Sequence, residues 1–310
     1  MSASGTDGRD WKASLKAIAF GAVTGTVIGL VAFRFLTSRQ YPSMGSVLFL
    51  VVPIAAGFSI AMVARKPNTT TAAAVLSVVS SLVLLIALGA EGMLCAVLAF
   101  PIIAGGLFIG LGIGVLFRKL VISRFTNQTT PIGMLLVLAP VLIVAGERIE
   151  TPALQHPRTE VIQTSVSVNG PPENLWREIV SIDNIKASRP FLMYVGLPIP
   201  QRCTIQGHGV GAKRICYFNV GYIEETITAW SPPYYMGLSI DRTHMPGRHW
   251  LGFESADYRL ERLGDMTRLT RRTTVFSYLH PSWYWRRFER IGVESEHAYI
   301  LRDVALRATR

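Results

Sequence analysis

The feature that most constrains this chain is a series of apolar runs in its first half, near 15–35, 44–63, 71–88, 93–117 and 129–145. Each approaches the ~20 residues that carry a helix across the hydrocarbon core of a bilayer. In hydrocarbon the backbone N–H and C=O groups must bond within their own segment, so such runs cross as helices. Residues 1–146 are therefore read as a multi-pass bundle of about five transmembrane helices. The last run is the shortest and carries Pro131 and Pro140. The first has basic flanks like a secretory signal. Its apolar run is long, however, no small-residue cleavage pattern follows, and more runs come next, so it is expected to stay in the protein.

Charge follows the same division. Up to position 146, ten Lys and Arg stand against three acids (Asp7, Asp10, Glu91), whereas the remainder holds 21 against 17. Basic residues gather before the first run (Arg9, Lys12, Lys16), after the second (Arg65, Lys66) and after the fourth (Arg118, Lys119, Arg124). In a five-span bundle these segments share one side. An excess of Lys and Arg marks the cytoplasmic side, so the C-terminal half is expected to face out of the cytoplasm from an inner membrane. If the fifth run does not span, it faces the cytoplasm instead. The basic balance is thus a membrane-flank effect, and with no basic stripe interleaved with aromatics a nucleic-acid partner is not expected.

No ionisable residue lies in the middle of a run; Arg34 and Glu91 sit near ends. Ion and proton carriers keep such groups at depth, so the bundle is read as an anchor in the lipid bilayer. Gly21, Gly25 and Gly29 in the first run, and Gly106, Gly110 and Gly114 in the fourth, are spaced four apart. Such stripes let helices approach closely, either within the bundle or between protomers of a homo-oligomer.

After a polar linker at 147–159, residues 164–185 (TSVSVNGPPENLWREIVSIDNI) mark a change of architecture. The first five alternate polar and apolar side chains as a half-buried strand does; Gly170-Pro171-Pro172 then opens an amphipathic helix with Leu175, Trp176, Ile179 and Val180 on one face. Pro172 suits the first helical position, and Glu173 sits beside the positive end of the helix dipole. Strand-like runs follow near 203–207, 212–218, 222–230, 235–241, 253–263 and 266–278, separated by turn signals, which predicts an antiparallel sheet. A long helix after Pro281 closes the chain. Tyr284, Phe288, Ile291, Ser295, Ala298, Tyr299, Ala305 and Leu306 are expected on its sheet-facing side, with Glu289, Glu296, His297 and Asp303 elsewhere. Small residues such as Ser295 would leave room for a cavity there.

Strand, helix, antiparallel strands and long final helix, with SVSVNGPPENLWREIVSIDNI at the start and EETITAWSPPYYMGLSI in the middle, resemble the SRPBCC superfamily. This is the START-like, polyketide cyclase and lipid transport group with the helix-grip fold. The matching motifs are Pro171-Pro172-Glu173 before Trp176, and Trp230 before Pro232-Pro233. The resemblance covers 160–310 and looks closest to bacterial proteins that join membrane helices to such a domain. It implies a deep, mostly apolar cavity between a curved sheet and the last helix, holding a lipid, isoprenoid or similar apolar small molecule. It does not imply a reaction.

Residues suited to line that cavity are Trp176, Tyr217, Tyr222, Trp230, Tyr258, Phe276, Phe288, Ser295 and Tyr299, each also suited to plain core. Glu225 alternates with Ile223 and Ile227, so it can share their inward face, orienting a ligand or pairing with an arginine. Arg272 shares a face with Thr274 and Phe276 and can pair with Glu225, meet an anionic head group, or face solvent. His244 and His249 have no third ligand at metal-like spacing, and no phosphate loop or nucleophile elbow occurs, so neither metal nor cofactor is expected. Cys203 and Cys216 flank the turn 207–211 and face each other if it is a hairpin, as a disulfide in an oxidising compartment or as two thiols. Three functional readings follow. One is a membrane-anchored binder of an apolar ligand; another is a cyclase or dehydratase using Glu225 with Tyr222 or His244. The last is a non-catalytic sensor or assembly subunit.

Overall fold

The computed structural model describes residues 7–37, 44–64, 66–120, 130–245 and 250–309. Arg65, Arg124 and His249 lie outside the described residues. The chain divides into two compact units, Met1–His156 with Tyr278–Pro281, and Pro157–Ser277 with Ser282–Arg310.

The first unit is helical. It comprises α1 (Asp7–Thr37), a π-helical turn (Val47–Val51) running into α2 (Val52–Val63), α3 (Pro67–Ala87), α4 (Met93–Leu120) and α5 (Thr130–Leu154). Among the described residues, three segments are long and apolar enough to cross a membrane: Trp11–Thr37, Pro67–Ala87 and Met93–Leu120. Val47–Val63 is a shorter apolar helix, and α5 carries Pro140, Pro152, Glu147, Arg148 and Glu150. Length and composition thus give three candidate crossings where the sequence pattern suggests about five. Phe20, Val23, Val27 and Val31 on α1, and Phe108, Ile109 and Ile113 on α4, are exposed. Apolar surface of this extent is unfavourable in water and suits hydrocarbon.

Both glycine stripes are covered inside the chain. A Cβ on Gly25 would lie 2.3 Å from Ser77 Oγ of α3, and one on Gly110 would lie 2.0 Å from the Ile54 carbonyl oxygen of α2. Gly57 of α2 makes the reciprocal approach, 2.0 Å from the Leu107 carbonyl oxygen. Small residues bring these helix backbones together, which is the first of the two roles expected for them.

The second unit begins with β1 (Arg158–Asn169), α6 (Pro172–Val180) and the short α7 (Phe191–Val195). It continues through β2 (Pro200–Gln206), β3 (Lys213–Phe218), β4 (Gly221–Ser231), β5 (Tyr235–His244), β6 (Leu251–Leu263) and β7 (Met266–Ser277) to α8 (Ser282–Ala308). All strands form one sheet in the order β1-β7-β6-β5-β4-β3-β2, antiparallel throughout. Strands β2 to β7 are each paired with the next in sequence, while the passage from β1 to β2 crosses to the opposite edge and carries both small helices. Between β2 and β3, Gly207, Gly209 and Gly211 all have positive φ, conformations that glycine adopts without steric cost. This is the hairpin read from the sequence.

The core joins α6 (Leu175, Trp176, Ile179) to the inward row of the sheet (Ile227, Met236, Leu238, Tyr258, Leu260, Leu269) and to α8 (Ile300, Leu301, Val304). Sheet, α6 and a long closing helix over one face constitute a helix-grip arrangement.

The buried face of α8 differs from the one expected. Its buried residues are Trp285, Glu289, Val293, His297, Tyr299, Ile300, Leu301, Asp303 and Val304, whereas Ile291 and Leu306 are exposed. Ser295 is only half-buried and its hydroxyl donates to the Ile291 carbonyl at 2.6 Å. The buried row steps through 285, 289, 293, 297, 300 and 304, about one residue out of phase with the apolar row. The physical reason is polar satisfaction. Glu289 accepts from Ser277 Oγ at 2.5 Å and pairs with Arg158. Asp303 accepts from the backbone N–H groups of Lys186 and Ala187 at 2.7 and 3.1 Å. Partnered in this way, polar side chains occupy core positions that apolar periodicity assigns to others.

Candidate functional site

Alternation on β1 turns Thr164, Val166 and Val168 toward α8, and α8 passes this edge strand at a distance that leaves a groove of about 500 Å³. Val166, Val168, Leu301, Ala305 and Leu306 supply apolar wall, while Ser165, Ser167 and Arg302 are among its polar residues. Its volume lies within the range of small-ligand sites; it is open to solvent along one side, and six of its thirteen lining residues are polar.

Next to the groove lies a buried polar network. His297, fully buried, sits between two hydroxyls: Nε2 is 2.8 Å from Thr273 Oγ1 and Nδ1 is 3.2 Å from Thr164 Oγ1. Burial, reinforced by the Arg271 charge, depresses the imidazole pKa to about 2. The ring is therefore neutral at physiological pH and positions hydroxyls rather than carrying protons. Arg271 pairs with Glu296 of α8 at 3.1 Å. Burial pushes the Glu296 carboxyl above the usual carboxylate range, although Arg271 opposes this.

Tyr258 stands between two guanidinium groups, 5.5 Å from Arg271 and 5.9 Å from Arg214. Arg214 in turn donates to Glu225 at 2.5 Å, with side chains 2% and 6% exposed. Arg214, Glu225 and Arg271 thus share the face of the sheet turned toward α8, and Glu296 meets them from α8. Removing two such charges from water costs several kcal/mol per ion, which the pairing must offset.

The sequence-predicted residues fall into separate places. Glu225 shares the buried row of β4 with Ile223 and Ile227 as expected, but its partner is Arg214. Arg272 bonds Asp257 instead, at 3.1 Å, on the opposite face from Arg271. Phe276 lies opposite Gly252 on that face, where its ring would meet a Cβ at 2.1 Å. Tyr217 and Tyr222 face each other across β3 and β4, with Tyr222 stacked on His244 at 4.4 Å. His244 meets Glu224, not Glu225, at 3.1 Å. Because Tyr222 and Glu225 point to opposite faces of β4, the expected grouping of Glu225 with Tyr222 or His244 does not form.

Trp176 and Trp230 meet edge to face at 5.0 Å in and beside the core. Tyr258 is core, Tyr299 packs with Ala187 and Met193, and Phe288 rests against Tyr284 at 5.1 Å. Trp176, Tyr217, Tyr222, Glu225, Trp230, Tyr258, Arg272, Phe276, Phe288, Ser295 and Tyr299 all lie outside the lining of the β1–α8 groove. Thr164, Arg214, Arg271, Glu296 and His297 carry the network without having been singled out. Arg271 does alternate with Leu269 and Thr273, a signal hidden because a charge in an apolar row reads as the outward face.

Cys203 and Cys216 are directly opposed on β2 and β3 and form a disulfide. Among the described residues no group of three or more His, Cys, Asp or Glu is placed to hold a metal ion.

No family model matches the sequence, and no curated protein matches it. Among solved structures, the chain is similar to the Zhui aromatase/cyclase from Streptomyces sp. R1128, at 17% identity over 49% of this chain and 95% of that one, TM-score 0.36. Ara h 8.0201 matches at 15% identity over 49% and 99%, TM-score 0.35. Norcoclaurine synthase from Thalictrum flavum matches at 12% identity over 49% and 96%, TM-score 0.33.

Proposed function

We propose that this chain is a membrane-anchored binding protein whose helix-grip unit holds an apolar ligand, of lipid or isoprenoid size, in the groove between β1 and α8. The observation that carries this reading is the groove of about 500 Å³ walled by Val166, Val168, Leu301, Ala305 and Leu306. Three apolar helices of spanning length support the anchor. The Cys203–Cys216 disulfide and the Lys and Arg at 9–16 ahead of the first of these helices support an inner membrane with the second unit on its extracytoplasmic side, since disulfides persist in oxidising compartments and basic flanks mark the cytoplasmic side. A poorly soluble ligand held by a protein anchored in the bilayer travels little through water.

The test is native mass spectrometry of the full chain released from detergent, with solvent extraction of what co-purifies. Ala305→Trp places a large ring in the groove. The expected result is an apolar molecule bound to the wild type and missing from Ala305→Trp. Absence of any ligand from the wild type, or equal occupancy in both, would overturn the reading.

A further inference from the structure

The segment from Lys186 to Tyr194, between α6 and β2, is a surface of unusual composition. Phe191 and Tyr194 are 76% and 68% exposed, one turn apart on α7. Lys186, Arg189 and Arg302 are exposed beside them. Arg302 joins this surface because its guanidinium donates to Ser188 Oγ at 2.7 Å, and it also lines the groove.

These side chains are displayed by a fixed frame. Asp303, 3% exposed, holds the backbone of Lys186 and Ala187. Met193 and Ala187 pack on Tyr299 in a small core of their own. The rings of Phe191 and Tyr194 therefore stand outward while the residues around them are pinned, and burial of Met193 sets the rotation of α7 that exposes them. The acids nearby are engaged elsewhere or few: Asp303 and Glu178 meet Arg307 at 3.0 and 3.2 Å, and Asp183 is exposed.

We infer that Phe191 and Tyr194, with Lys186, Arg189 and Arg302, form a contact surface for a bilayer rich in anionic lipid. Rings of this kind favour the headgroup level of a membrane, and Lys or Arg near an anionic surface strengthens binding about fivefold per residue. Charge complementarity selects the anionic surface. A chain that itself carries apolar helices of spanning length always has a bilayer within reach. The inference concerns surface contact and does not depend on whether the groove holds a ligand.

The test uses the full chain in lipid nanodiscs, on a Cys95→Ala background with a bimane fluorophore at Tyr194→Cys and spin-labelled lipid as quencher. A second label at Asp265→Cys, on the exposed β6–β7 turn, serves as reference. The expected result is strong quenching at position 194 in phosphatidylglycerol-containing discs and little at 265. It should weaken in phosphatidylcholine discs and in Lys186→Gln/Arg189→Gln, where loss of two cations lowers surface affinity roughly 25-fold. Equal quenching at both positions, or quenching indifferent to lipid charge and to the two substitutions, would overturn the inference. So would a label at 194 that is shielded from aqueous iodide but untouched by lipid, since a protein would then be the occupant.

Discussion

His297 makes the acid stability of the helix-grip unit predictable in sign. It is fully buried between Thr273 and Thr164, and its pKa falls from 6.5 to about 2 on folding. A depressed histidine pKa means that the unfolded chain binds the extra proton. Stability is therefore complete above pH 6.5 and declines as the pH drops from there toward 2. Each pH unit well below the unfolded value removes on the order of 1 kcal/mol, so a few kcal/mol are lost by pH 4.5 from this group alone. Glu296, whose carboxyl is raised by burial, has the opposite sign and offsets part of the loss. The difference between wild type and His297→Gln isolates the imidazole. Denaturant melts of both proteins in detergent, followed by tryptophan fluorescence between pH 7.5 and 4.5, should show curves that converge as the pH falls. The variant is less stable at pH 7.5 because one hydroxyl loses its partner, and it falls less steeply. Parallel curves, or an imidazole resonance of His297 titrating near 6.5, would refute the reasoning.

Three further outcomes follow from particular contacts. Glu225→Gln leaves the 2%-exposed Arg214 without its carboxylate and should cost about 3–5 kcal/mol in a denaturant melt, while Arg214→Met/Glu225→Leu should recover most of that. Gly110→Leu drives a side chain into the Ile54 carbonyl, whereas Gly112 has nothing within 4 Å of an added Cβ; the first should broaden size-exclusion profiles in detergent and Gly112→Leu should not. Reducing the Cys203–Cys216 disulfide, or replacing both by Ser, frees a loop with a sequence separation of 13 and should cost about 3 kcal/mol of stability, read as a lower melting temperature.

Much of the architecture was legible because it depends on local pattern. Alternation marked the first strand and strand-like runs between turn signals marked the other six, the glycines at 207, 209 and 211 gave the hairpin, and Pro172 marked the start of α6. Even the inward turn of Glu225 follows from a period of two. Long apolar runs marked the helical first unit, but the number long and apolar enough to cross a membrane was not legible, since α5 mixes apolar residues with Glu147, Arg148 and Glu150. What required the tertiary structure was pairing. Which arginine meets Glu225 depends on the register of β3 against β4, and Arg214 is the residue opposite it. The rotation of α8 depends on hydroxyls and amides supplied by β1, β7 and the α6–α7 segment, which allow Glu289, His297 and Asp303 to be buried. The β1–α8 groove likewise arises from how an edge strand and a helix some 130 residues apart approach each other. By itself the sequence fixes which elements form, because backbone geometry and apolar burial act over a few residues. Which polar groups enter the core is decided by partners distant in the chain, because a buried charge is tolerated only where folding brings its complement within hydrogen-bond reach.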